Sequence, residues 1–237
     1  MMNFLTAKWQ NLIMANYAVD PEVLKAYLPK GVALDFYEGK TYVSLVGFLF
    51  KSTKLFGVPV PFFGTFEEVN LRFYVKRKEG TEWKRGVVFI NETVPHIAVA
   101  WIANRLYKEH YTAIPTNRSW KITDESKLIA YQWKVNRQWN TMEVTAESAA
   151  QNMVHGSFEQ FIFEHYYGFT RINTEGTEEY RVEHPSWLTH PVRKYAIHCD
   201  FGASFGNDFR FLNNSEPVAV MLAAGSPVSV KWKRNRF

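Results

Sequence analysis

Four polar side chains alternate along one apolar segment. Glu68, Asn70, Arg72 and Tyr74 are interleaved with Val69, Leu71, Phe73 and Val75 in the run from Thr65 to Val75. Extended backbone sends successive side chains to opposite faces, so the polar groups share one face and the apolar groups the other. The four bring a carboxylate able to move a proton, a guanidinium whose planar fork matches a carboxylate, and two orienting groups, an amide and a phenol. Such a face either lines an enclosed pocket or meets water as a strand of alternating charge. Arg105 and Glu109 form a second constellation. They lie four residues apart beside an apolar helical stripe, a spacing that lets them pair. One reading is a structural ion pair tying a helix to a sheet. The other has Arg105 or Arg72 grip an anion while Glu68 moves a proton.

Other chemistries lack their residues. His155, His165, His184, His190 and His198 show no H-x-H or H-E-x-x-H spacing, and no metal site is expected. Cys199 has no activating neighbour in the sequence and reads as an inert buried thiol. No phosphate-binding loop, dinucleotide fingerprint or G-x-S-x-G is present, and Gly202-Ala203-Ser204-Phe205-Gly206 is not a nucleophile elbow. No cofactor is expected.

The elements that must position these groups are mostly strands. Asp20-Pro21-Glu22 opens a short helix running to about Leu28, with Asp as N-cap and Pro at the first helical position. Strands are predicted at 32–36, 41–50, 65–75, 86–91, 128–135, 142–146, 178–184, 218–222 and 228–232, with a Pro-, Gly- and Phe-rich loop over 56–64. The run Val87 to Ile90 reads as buried on both faces. A helix over 95–110 carries the stripe Ala98, Val99, Ile102, Ala103 and Leu106, and a second runs 158–167 with Ser157 as N-cap and Gly168 closing it. Many strands joined by turns and interrupted by a few helices point to an α+β fold dominated by antiparallel sheet.

The 237 residues suit one large domain, and no repeat or low-complexity linker divides them. Aromatic residues make up 16%, enough both to fill a core and to wall an apolar pocket. A single cysteine excludes an intrachain disulfide, no basic segment followed by an apolar one opens the chain, and the apolar stretch 42–50 is too short to span a bilayer. The expectation is a soluble cytoplasmic protein without a membrane partner. The net charge of +5 is concentrated in Lys231-Trp232-Lys233-Arg234-Asn235-Arg236-Phe237, which reads as a solubilising end or, as a lesser alternative, a nucleic-acid or anionic-surface contact.

Several segments together resemble the YqjF-like family of uncharacterised proteins, within the acetoacetate decarboxylase-like superfamily. They are Val19-Asp20-Pro21-Glu22-Val23-Leu24 with Leu28-Pro29, the ladder from Glu68 to Val75, Arg105 and Tyr111, Glu164 to Gly168, Glu183 to Trp187, and Gly225 to Val230. The resemblance runs over nearly the whole chain. It implies a closed or cone-like, mainly antiparallel β barrel with flanking helices and a small-molecule cavity into which the ladder points. In the decarboxylases the glutamate matching Glu68 sits near a lysine that forms a Schiff base. Here Tyr111 and Thr112 stand at that place and Lys108 falls one turn early.

The expectation is thus one acetoacetate decarboxylase-like domain over residues 1–237, a cavity protein for a small carbonyl or carboxylate compound without Schiff-base lysine. Glu68 would be the acid or base, Arg72 and Arg105 anion clamps, and Asn70, Tyr74 and Tyr111 orienting ligand contacts. The alternative is a non-catalytic binder of an apolar small ligand.

Overall fold

The computed structural model describes residues 3–107 and 109–237, so Lys108 lies outside the described residues. The principal elements in chain order are β1 (Asn3–Val19), α1 (Pro21–Lys25), β2 (Thr41–Leu55), β3 (Phe66–Glu79), β4 (Glu82–Val94), α2 (Ile97–Tyr107), β5 (Tyr111–Ala113), β6 (Thr116–Ile122), β7 (Ser126–Val135), β8 (Gln138–Glu147), α3 (Phe158–Phe163), β9 (Tyr167–Arg171), β10 (Thr177–Glu183), β11 (Val192–His198), α4 (Phe201–Phe205), β12 (Ala219–Ala223) and β13 (Pro227–Lys231). Strand pairings run from β1 through β2, β3, β4, β9, β10 and β13 and return to β1, closing a ring. Only the β4–β9 step of the ring is parallel. β6, β7, β8 and β11 form a separate four-stranded antiparallel sheet. The dominance of antiparallel sheet is what the residue pattern predicts, and the closure is what the family resemblance implies.

The period-two pattern of β3 explains how the two sheets meet. Val69, Leu71, Phe73 and Val75 are fully buried and join Ile129, Tyr131, Trp133, Met142 and Val144 of the four-stranded sheet in one core. Gly47 on β2 lets the layers touch: a Cβ there would sit 2.7 Å from Met142 Sδ. Glu67, on the same outer face, accepts from Arg118 and, at 2.8 Å, from Thr116 Oγ1, fastening β6 to the ring. The opposite face of β3 looks inward, where Phe48, Phe50, Phe66, Tyr74, Val87, Phe163 and Trp187 form a second core.

A β-bulge re-aims β4. Leu71 pairs with Asn91 but Arg72 pairs with Phe89, so Ile90 is an extra residue on that strand. Val88 and Ile90 belong to the outer core, while beyond the bulge Val94 joins the inner one. The inward parity therefore changes from Val87 and Phe89 to Glu92 and Val94.

Several boundaries differ from those read in the sequence. α1 ends at Lys25 and α2 at Tyr107. α3 stops at Phe163, and Gly168 lies in strand β9 instead of closing the helix. Its role is close approach: a Cβ at Gly168 would lie 2.1 Å from the Tyr180 ring. The basic C-terminus is not a free tail. Arg234 and Arg236 both reach the fully buried Glu178 at 2.8 Å, and Lys231 bonds Glu183 at 2.7 Å. No helix among the described residues is long and apolar enough to cross a membrane.

Candidate functional site

Each strand of the ring contributes to the wall of one interior cavity of about 150 Å³. Leu12 comes from β1, Phe48 from β2, Glu68 from β3, Phe89 from β4, Tyr167 from β9, Tyr180 from β10 and Val230 from β13. Val99, Ile102 and Ala103 of α2 also line it, the apolar stripe seen in the sequence. A void of this size holds a molecule about as large as benzene, well short of the ~300 Å³ at which drug-sized pockets begin. The lining is chiefly aromatic and aliphatic, with one polar region.

That region is built on the ladder strand. Asn70 Nδ2 donates to Glu68 Oε1 at 2.9 Å, and the Tyr111 hydroxyl donates to Glu68 Oε2 at 3.2 Å. Tyr111 is delivered by β5, which pairs in parallel with β4 so that Tyr111 stands opposite Glu92. The Asn104 amide of α2 fixes it with two bonds: Nδ2 donates to the Tyr111 carbonyl at 2.9 Å, and the Tyr111 N–H donates to Oδ1 at 2.7 Å. Glu109, beyond the end of α2, accepts from the Tyr180 hydroxyl at 2.9 Å and from Thr170. Glu68, Glu92 and Glu109 all line the cavity and are 3%, 2% and 6% exposed.

Arg72 is 8% exposed, and no carboxylate of the described residues pairs with it. Its Nη2 reaches Met14 Sδ at 3.6 Å, its Nε has no partner, and its Cζ lies 5.8 Å from the centre of the Tyr74 ring. Glu68 and Glu92 feel its charge without bonding it, so the guanidinium is desolvated without a hydrogen-bonded counter-ion, a state that costs several kcal/mol.

Burial raises every carboxyl of the cluster. Glu68 is pushed up to about 7, although Asn70, Tyr111 and Arg72 pull it the other way. Glu109 is also pushed up to about 7, with Thr170 and Tyr180 opposing burial and Glu68 reinforcing it. Glu92 rises well above the carboxylate range through burial and repulsion from Glu109 and Glu68. His165, another wall residue, is lowered to about 4 by burial, despite its contact with Asp35 at 3.4 Å. Among the described residues no group of three or more His, Cys, Asp or Glu is placed to hold a metal ion.

The sequence profile of the uncharacterized conserved proteins termed DUF2071 matches residues 6–227. The chain belongs to the DUF2071 family. It is 32% identical over 89 residues to the uncharacterized protein YqjF of Bacillus subtilis (strain 168), a match covering 37% of this chain and 35% of that relative. The fold is similar to an acetoacetate decarboxylase from Legionella pneumophila, with a TM-score of 0.63, 12% identity, and coverage of 95% of this chain and 84% of the other. An acetoacetate decarboxylase-like enzyme from Sphingomonas wittichii RW1 gives a TM-score of 0.66 at 11% identity, covering 100% and 94%. The enduracididine biosynthesis enzyme MppR, complexed with the condensation product of pyruvate and imidazole 4-carboxaldehyde, gives a TM-score of 0.66 at 11% identity, covering 100% and 90%. At these identities the likeness is one of fold.

In this DUF2071 chain Glu68, Asn70, Arg72 and Tyr111 converge on the cavity. Tyr74 does not line it. It is 1% exposed, its hydroxyl bonds Ser44 Oγ at 2.5 Å, and its ring packs against His165. Arg105 is exposed on α2 and is no clamp on this cavity. The expected Arg105–Glu109 pair is not formed either: the helix ends at Tyr107, so the four-residue helical spacing no longer applies. Thr112 is exposed and its Oγ1 accepts from Asn91. Glu92, Tyr180 and His165 are wall residues that sequence reasoning missed. Glu92 lies past the bulge that breaks strand periodicity, and His165 sits in irregular chain, where no period can assign a face.

Proposed function

We propose that this lumen binds a small carboxylate and transfers a proton at the carbon beside its carbonyl group, without a Schiff-base lysine. One observation carries the reading: a buried guanidinium, Arg72, with which no carboxylate of the described residues forms an ion pair, in a cavity of about 150 Å³. A ligand carboxylate supplies the missing counter-ion through two parallel N–H···O bonds. Glu68 then acts as base and acid on the adjacent carbon. Burial holds it at about 7, where it both accepts and returns a proton near neutral pH. Asn70 and Tyr111 each hold one of its oxygens and fix the carboxyl plane. The aromatic and aliphatic walls lower the local dielectric and strengthen the field of Arg72. The cavity volume favours a short oxo acid over a lipid. The folds it resembles include an enzyme solved with pyruvate, which is consistent with this size and charge.

The test is exchange of the pyruvate methyl protons for deuterium in D₂O, followed by NMR. The wild-type protein should catalyse it. Glu68→Gln should slow it by at least about 100-fold while pyruvate binding persists, since a positioned acid–base group contributes 10²–10⁴-fold. Exchange that Glu68→Gln leaves unchanged would remove Glu68 from the chemistry. Binding without any exchange in the wild-type protein would favour the second reading, a non-catalytic binder, for which the predominantly aromatic and aliphatic lining speaks.

A further inference from the structure

The polar region of the lumen holds acceptors that its own donors leave unmet. Asn70 turns Nδ2 toward Glu68, which commits its other terminal atom, Oδ1, to the remaining direction. That oxygen is buried and has no hydrogen-bond partner. Directly opposite Asn70 in the β3–β4 ladder is Glu92, whose Oε2 is also buried and without a partner. Both residues line the cavity and both are 2% exposed. Opposed side chains of an antiparallel pair stand roughly 4.5–5.5 Å apart at Cβ, so the two oxygens flank a common position. Buried acceptors of this kind cost about 1–3 kcal/mol each unless a donor reaches them.

Carboxyls outnumber cations around that position. Glu68 and Glu109 each repel a negative charge on Glu92, and the Tyr111 hydroxyl and the Arg72 cation oppose them without reaching the orphaned Oε2. A carbonyl or carboxylate placed there would meet acceptors and carboxyls. A positively charged group bearing N–H satisfies both oxygens and draws Glu92 to its ionised form, which burial and the neighbouring carboxyls otherwise oppose.

We infer that the ligand whose carboxylate Arg72 holds also carries a cationic nitrogen, ammonium or guanidinium, that donates to Asn70 Oδ1 and Glu92. The preferred substrate class is then a small zwitterionic acid, of which a plain oxo acid such as pyruvate supplies only the anionic half. This rests on the anion-binding reading of Arg72 and adds a second seat to it. Glu92 would be a specificity-determining residue, placed inward by the one-residue bulge at Ile90.

Calorimetric titration with three small probes tests it. Guanidinoacetate carries both charges, ureidoacetate has the same heavy-atom count with a neutral urea, and methylguanidinium carries only the cation. Guanidinoacetate should bind at least about tenfold more tightly than ureidoacetate, the scale of a charge-assisted hydrogen bond. In Glu92→Gln that ratio should fall toward one. Equal binding of the two acids to the wild-type protein, or tighter binding of ureidoacetate, overturns the cation seat and leaves the Arg72 reading standing. Binding of methylguanidinium with failure of both acids keeps the seat and removes the Arg72 reading. Failure of all three overturns the inference.

Discussion

Glu109 shows what a buried carboxyl does to this molecule beyond any role toward a ligand. Burial raises it from 4.5 to about 7, even with bonds from Thr170 and Tyr180. Between those values the folded chain keeps a proton that the unfolded chain has released. The resulting stabilisation is complete below about 4.5 and is lost as pH rises through about 7. His165 acts in the opposite sense over part of this range, because its lowered value favours folding as pH rises from about 4 toward 6.5. The difference between wild type and Glu109→Gln isolates the carboxyl, since the amide cannot titrate. From pH 5 to pH 8 the wild type should lose about 2–3 kcal/mol relative to the variant in urea unfolding. A pH-independent difference would mean that Glu109 is ionised throughout. Single wall residues were legible where strand or helix period held, and Tyr111 only through the family resemblance. Glu68, Asn70 and Arg72 follow strict alternation and line the cavity, while Tyr74 on the same face does not. Glu109 was noticed for the wrong reason, because the helical wheel was continued past Tyr107, where the helix ends.

At the scale of elements, α2 and β5 act together on the ladder. The Asn104 amide holds the Tyr111 backbone at both its N–H and its carbonyl, and Tyr111 in turn donates to Glu68. That bond draws the Glu68 value down against burial. Asn104→Ala should release Tyr111 and move the pH midpoint of proton exchange upward, as should Tyr111→Phe. Protein stability should fall by about 1–3 kcal/mol in the alanine variant, the cost of two lost hydrogen bonds. A midpoint that stays in place in both variants would show that Tyr111 does not tune Glu68. Strands β2, β3, β4, β7 and β8 were readable because apolar alternation or a buried run marks them. β1 was not. Its pairing with β2 shifts register between Gln10 and Ile13, and Asn11 has φ of 49°. The irregularity breaks the period in the middle of a 17-residue strand, and the polar residues Lys8, Gln10 and Asn11 complete the disguise.

At the scale of the whole molecule, closure of the ring turns a strand face into a site. Glu68, Asn70 and Arg72 on an open sheet would be hydrated, and an unpaired arginine would cost little. Inside the ring they are enclosed by β1, which pairs with both β2 and β13. Closure depends on contacts far apart in the chain, so residue patterns alone left the pocket and solvent readings open, and only family resemblance favoured the pocket. The basic C-terminus illustrates the same limit. Its charge reads as solvent-facing, yet Arg234 and Arg236 bond a buried glutamate on β10. The central claim is that the enclosed Arg72 takes the carboxylate of a small ligand. A crystal structure of the protein grown with pyruvate addresses it directly. The claim predicts density for the ligand inside the ring, its carboxylate within about 3 Å of the Arg72 guanidinium. A pyruvate carboxylate bound elsewhere, or none bound in the lumen at saturating concentration, would contradict it.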